Sequence, residues 1–173
     1  MKITFYGHAS LGIEVGGKNI LVDPFITGNP KAAHINIETL KADYILVTHA
    51  HGDHVGDVEA IAKRTGATIV SNAEIAGYYG TKGLTAHPMN HGGSWKFDFG
   101  KVKYVNAIHS SSFPDGAYGG NPGGFVVETA HKNIYIAGDT ALTMDKQLIP
   151  MRTILDLAIL PVGDIKDFHF NLG

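Results

Sequence analysis

The stretch Tyr44-Ile45-Leu46-Val47-Thr48-His49-Ala50-His51-Gly52-Asp53-His54 decides how this chain is read. An apolar run of strand length ends in three imidazoles and a carboxylate within six positions, His49 to His54. Imidazole is the commonest metal-binding side chain, and neutral imidazole with carboxylate suits Zn²⁺ and its divalent neighbours. In an extended segment residues i and i+2 point the same way, so His49 and His51 can converge on one ion. Gly52 then permits a sharp turn, and Asp53 and His54 arrive from the other side, where they could serve a second ion. The competing reading is a polar loop capping a helix with Asp53 as the cap. The density of donor groups tells against it.

Composition narrows the class. The 173 residues are one domain's worth, so a single domain over residues 1–173 is expected. A hydrophobic content of 44% with 17% charged residues describes an ordinary soluble globular protein. Net charge is −2 with histidines neutral, so nothing draws the chain to nucleic acid or an anionic membrane. Without cysteine there is no disulfide framework, thiolate zinc site or thiol redox chemistry. No stretch approaches the ~20 apolar residues of a membrane span, and no apolar leader segment opens the chain. A cytoplasmic protein is expected. The 22 glycines are not periodic, which excludes collagen-like and low-complexity readings.

Around the histidine box the hydrophobic pattern is mostly of period two. Ile3 and Phe5, then Leu11, Ile13 and Val15, then Ile20 and Val22 predict a meander over residues 2–26, with a tight hairpin at Gly16-Gly17. Residues 27–40 read as an irregular loop, and a buried strand at 43–48 delivers the box. A helix is expected from about Gly56 to Arg64, with Val58, Ile61 and Ala62 on one face and Gly66 ending it. A strand at 67–70 and a helix near 72–79, capped by Ser71 or Asn72, follow. Beyond Gly92-Gly93 come strand pairs at 95–99 with 101–108 and at 124–129 with 133–137, then a last buried strand at 157–160. The halves share an order of elements, hairpins first and then a strand leading into a polar turn.

His-x-His-x-Asp-His at the end of a buried strand resembles the signature of the metallo-β-lactamase-fold hydrolases. Further stretches are similar to one subgroup of small metal-dependent hydrolases related to ascorbate-phosphate lactonase. They are Lys2-Ile3-Thr4-Phe5-Tyr6-Gly7-His8, Ile20-Leu21-Val22-Asp23-Pro24-Phe25, Thr48 to Asp57, His87-Pro88-Met89-Asn90, His109-Ser110-Ser111 and Ala137-Gly138-Asp139-Thr140. The resemblance implies an α/β fold, a four-layer αββα sandwich, with its second half short of its last elements.

It also implies a ligand set. His109, unremarkable on its own, would complete a first metal site with His49 and His51. Three histidines and an open position are what a catalytic zinc needs. Asp139 reads locally as a cap or an Asx turn, whereas the resemblance makes it a bridge between two metals. The second ion would then bind Asp53, His54 and Asp139. Asp23, before Pro24, is expected to fix its loop and support the ligands, and His8 to contact substrate or play a similar supporting part. His87 and His91, flanking a Pro-Met-Asn turn, are candidates to line the pocket, while His34 and His131 read as solvated loop residues. Ser110, Ser111 and Ser112 lack the surroundings of an activated nucleophile. Gly119 to Gly124 lacks a phosphate-loop Lys-Ser/Thr and reads as a mobile loop over the site.

The resemblance ends at Gly163-Asp164. Relatives continue for some tens of residues and normally supply one more histidine to the second metal. His169 is a candidate replacement, though a structural tail residue is the plainer reading, and a homo-oligomer could cover edges left exposed. The expected chemistry is hydrolysis of an ester, lactone or phosphoester of a small metabolite by a metal-bound hydroxide, with Asp53 as the catalytic carboxylate. Zinc is the first choice of ion, with Mn²⁺ and Fe²⁺ tenable. The second reading is a shortened, catalytically weak paralogue that binds one metal and acts as an assembly module.

Overall fold

A computed structural model describes residues 1–162; Asp164 and His169 lie outside the described residues. Among the described residues two sheets face each other. The first has six strands in sequence order: β1 (Lys2–Gly7), β2 (Ser10–Val15), β3 (Lys18–Val22), β4 (Tyr44–Leu46), β5 (Thr68–Asn72) and β6 (Ala86–Met89). The second has five, with β11 (Leu157–Ile159), β10 (Asn133–Ile136), β9 (Gly123–Glu128), β8 (Gly100–Asn106) and β7 (Ser94–Phe97) side by side.

The meander forms as its alternation predicts, and Gly16 and Gly17, at φ 59° and 75°, make the tight turn between β2 and β3. From β3 onward the first sheet is parallel, β3 to β4 to β5 to β6. A parallel strand is covered on both faces, which is why Ile45-Leu46-Val47 is uninterrupted apolar sequence. Ile45 and Val47 pack toward Val58, Ile61 and Ala62 of α2 (Val58–Thr65) and toward Ile75 and Tyr79 of α3 (Ala73–Thr81). Leu46 turns the other way, into the core between the sheets, with Ile13, Val22, Val102, Tyr104, Phe125 and Ile134.

Both long helices end as their residues dictate. Gly66, at φ 73°, closes α2 with its N–H donating to the Ala62 carbonyl. Asn72, not Ser71, caps α3 by accepting from the Ile75 N–H at 2.8 Å.

Several local expectations change. The helix expected from about Gly56 to Arg64 forms as α2, and an unexpected single turn, α1 (Gly52–Val55), precedes it across Gly56 and Asp57. Gly52 therefore starts a helical turn instead of making a sharp reversal. Residues 27–40 contain two 3₁₀ turns, Pro30–Ala32 and Ile37–Thr39. The expected Pro-Met-Asn turn is strand β6, which tolerates Pro88 because it lies at the sheet's edge. Among the described residues the last strand, β11, is also an edge, and Leu157 on it is exposed. Over the outer face of the second sheet, Val126, Tyr135 and Ala137 meet Ile149 and Leu155. Among the described residues that face carries the 3₁₀ helix Met144–Leu148 and no α-helix.

Candidate metal centre

Every expected site residue lies at one end of the two sheets. His8 sits in the turn after β1, Asp23 follows β3, and His49 lies three residues after the end of β4. His109 comes after β8 and Asp139 after β10. The strands that precede them run in a common direction within each sheet, so their carboxyl ends converge, the usual place for a site in such a fold.

Among the described residues the donor atoms fall into three sets whose members all lie within 4.8 Å of one another: His49, His51 and His109; His49, His54 and Asp139; and His8, Asp53 and His54. The first is the trio expected of one ion. The trio expected of the second is divided. His54 meets Asp139 through the set that includes His49, and meets Asp53 through the set that includes His8.

Hydrogen bonds to Thr48 and Ser110 set which nitrogen of His49 and of His51 faces inward. The Thr48 hydroxyl lies 2.6 Å from Asp23 Oδ2 and 3.0 Å from His49 Nδ1. A hydroxyl has one proton, which goes to the carboxylate, so Thr48 accepts from His49 Nδ1–H and leaves Nε2 with a bare lone pair. The exposed Ser110 hydroxyl lies 3.1 Å from His51 Nε2, which turns His51 Nδ1 inward. His49 Nε2 and His51 Nδ1 are then 3.1 Å apart. Two nitrogens bound to one tetrahedral zinc are roughly 3.3 Å apart, from Zn–N bonds of about 2.05 Å. Without an ion, His51 Nδ1–H can donate to the His49 Nε2 lone pair, and a cation at that point would take both nitrogens instead. His109 Nε2, facing the same two rings, is buried without a hydrogen-bond partner among the described residues.

His54 is completely buried. Its Nδ1 lies 3.0 Å from Asp23 Oδ2, and its Nε2 lies 2.8 Å from Asp139 Oδ2. His54 and Asp139 form one of the three donor sets with His49, so a cation there could draw on all of them. The residues present therefore fit a divalent cation by donor type, by spacing and by the unpartnered His109 nitrogen.

Asp23 is the hub of this arrangement. Its carboxylate accepts from the Thr48 N–H and hydroxyl and from His54 Nδ1, so it orients His54 directly and His49 through Thr48.

Charge divides the site. Burial first, and the imidazoles of His54, His51 and His109 next, push His49 well below the ordinary histidine range. Burial likewise lowers His51 and His109. For His54 burial acts in the same direction, but the Asp23 and Asp139 carboxylates outweigh it and hold the ring up at about 10. Burial would raise Asp53, yet His8, 3.1 Å away, and His54 bring its carboxyl down to about 2.

The other candidates are placed elsewhere. His87 packs on Trp95 and Phe97, and His91 contacts the Pro122 carbonyl and Tyr104, so neither joins the three sets. His34 and His131 are exposed, as expected. The loop expected to move over the site is tied down by hydrogen bonds: Asn72 Nδ2 donates to the carbonyls of Gly119 and Asn121, and the Gly123 N–H to that of Thr48. Two positioning residues escaped the sequence reading. Ser111 Oγ accepts from the Ala50 N–H and donates to the Gly119 carbonyl, and Asp57 accepts from the Ile26 and Thr27 N–H groups. A serine run and an acidic residue in the box were the available signals, but neither states a partner.

A cavity of about 230 Å³ borders the site, lined by His8, Asp23 and Asp139 with Phe5, Leu11, Leu160 and Val162. A larger one, about 930 Å³, lies over the outer face of the second sheet and includes none of the three sets. Among the described residues no helix is long and apolar enough to cross a membrane.

Residues 18–173 match the family model described as a beta-lactamase superfamily domain, so the match runs past Asp164. A UPF0173 metal-dependent hydrolase of Flavobacterium johnsoniae is 81% identical over 164 residues, covering 95% of this chain and 73% of the relative. One from Christiangramia forsetii is 69% identical over 174 residues, covering all of this chain and 75% of the relative. Among solved structures, Igni18, a metallo hydrolase of the hyperthermophilic archaeon Ignicoccus hospitalis, superposes with a TM-score of 0.82 at 34% identity, over 94% of this chain and 70% of that one. With the fold, the clustered donors and these relatives in agreement, the chain belongs to the UPF0173 metal-dependent hydrolases of the metallo-β-lactamase fold.

Proposed function

We propose that this metal-dependent hydrolase cleaves an ester, lactone or phosphoester of a small metabolite, using zinc held by His49, His51 and His109 and a second ion held by Asp53 and His54, with Asp139 between them. The observation that carries the reading is the pair of inward nitrogens on His49 and His51, 3.1 Å apart, with the orphaned His109 Nε2 beside them. Bound there, a divalent ion would lower the pKa of a water toward ~7 and polarise the substrate oxygen.

The residues do the rest. Asp23 and Thr48 hold His49 in its tautomer, and Ser110 orients the His51 ring. Asp53, one quarter exposed and near pKa 2, is ionised at neutral pH. So weak a base does not retain a proton, which narrows its catalytic part to accepting a hydrogen bond that aims the attacking water. The cavity beside Asp139 would admit a small substrate with an apolar portion. The first donor trio is complete within the described residues, which favours an enzyme over a metal-binding assembly module.

The test is elemental analysis of the purified 173-residue protein, with hydrolysis assays on ester, lactone and phosphodiester panels. Turnover that a chelator abolishes, that zinc restores, and that His51→Asn and His109→Asn lack is the expected result. A folded wild-type protein that takes up no metal sinks the reading.

A further inference from the structure

We infer that His8 is a metal ligand, the third protein donor to the second ion beside Asp53 and His54; this deepens the proposed function and rests on its two-ion reading. The motif reading gave the second ion one imidazole and two carboxylates and left His8 to the substrate or a supporting part. The structure places His8 in a donor set of its own with Asp53 and His54. Its Nε2 is 3.1 Å from Asp53 Oδ2, and its ring centroid is 5.0 Å from that of His54.

The count is informative. A catalytic ion is commonly held by three protein donors and keeps one position open. His49, His51 and His109 supply three on one side. His8, Asp53 and His54 supply three on the other, and Asp139 sits against both His49 and His54.

The turn that carries His8 is built to aim it. His8 (φ 54°) and Asp23 (φ 43°) are the only non-glycine residues with positive φ among the described ones, and both border the site. Such conformations are disfavoured for side-chain-bearing residues, and observed outliers of this kind cluster at functional sites. Gly7 forces the entry: a Cβ there would come within 2.7 Å of the Lys31 Cβ. Ser10 then ties the two strained turns together, donating to the Asp23 carbonyl at 2.7 Å and accepting from the Phe25 N–H at 2.9 Å. A histidine meant only for solvent needs none of this.

The experiment is a Co²⁺ titration of the chelator-stripped full chain, read by visible absorption and by ions per chain after gel filtration. His8→Gly is the variant, since glycine accepts the positive φ, and its fold is checked by circular dichroism. The expected wild type binds two ions. His8→Gly keeps one and holds the other at least about 100-fold more weakly, and added imidazole restores the second ion. His109→Asn loses the other ion and leaves the His8-dependent one. The inference is overturned if His8→Gly binds two ions as tightly as wild type, or if wild type binds a single ion that His8→Gly retains unchanged. The underlying reading fails separately, if His51→Asn and His109→Asn both leave metal content untouched.

Discussion

The two donor pockets are a few ångströms apart and share the Asp23 network, yet they are prepared in opposite ways. Around His49, His51 and His109 the rings are kept neutral by burial and by one another, and hydroxyls of Thr48 and Ser110 orient two of them. Around His54 the nearest groups are carboxylates, and the imidazole keeps its proton up to about pH 10. The first pocket can accept a cation without giving up a proton. In the second a proton already compensates the carboxylates, and a cation must displace it. Proximity therefore does not make the two sites electrostatically alike.

Removing a donor from the neutral pocket should break the comparison most severely. His109→Asn is expected to lose one ion per chain together with measurable turnover, which elemental analysis and a hydrolysis assay would show; retention of both would mean that the three rings do not form a unit. Asp23→Asn comes next, because its carboxylate serves both pockets. Metal affinity should fall by about 10–100-fold at both sites in a competition titration with a chelating dye. A loss confined to one site would show that the Thr48 relay to His49 carries no weight.

Proton displacement gives a smaller, graded effect. Between pH 7 and 9 the affinity of the second pocket should rise by about tenfold per unit, because His54 is still protonated there and one proton leaves per ion bound. The first pocket should be nearly flat over that range, since its imidazoles titrate below 6.5. Calorimetric titrations in buffers of different ionisation enthalpy would count the protons, and equal release from both sites would erase the distinction. Ser110→Ala should do least, because an exposed hydroxyl orients only His51. A drop of up to about tenfold in first-site affinity, with the second unchanged, would sharpen the contrast.

Much of the fold was legible because its signals are local. The continuous Ile45-Leu46-Val47 run predicts a strand covered on both faces, and Gly16-Gly17 and Gly66 mark their turns by the positive φ they adopt. β6 was missed because Pro88 is read as a breaker, and only an edge position excuses it. Helix α1 was missed because a single turn has no periodicity of its own and is too short to be stable alone. It persists because His54 and Val55 are buried beneath it.

By itself the sequence determined the chemistry: three imidazoles and a carboxylate at the end of a buried strand, in a chain without thiols or a basic patch. Strand period two and the two-residue offset of His49 and His51 were enough to make one ion site credible. Only the tertiary structure decided who shares a site with whom. His8 lies 45 residues before Asp53 in the chain and 3.1 Å from it in space. Asp23 reaches His54 across 31 residues. Nothing in either local pattern names the partner, because the contact comes from parallel strands ending at one level, and strand pairing is a long-range property. The opposite charge states of the two pockets follow from that pairing, since burial and neighbouring carboxylates exist only once the sheets have closed on each other.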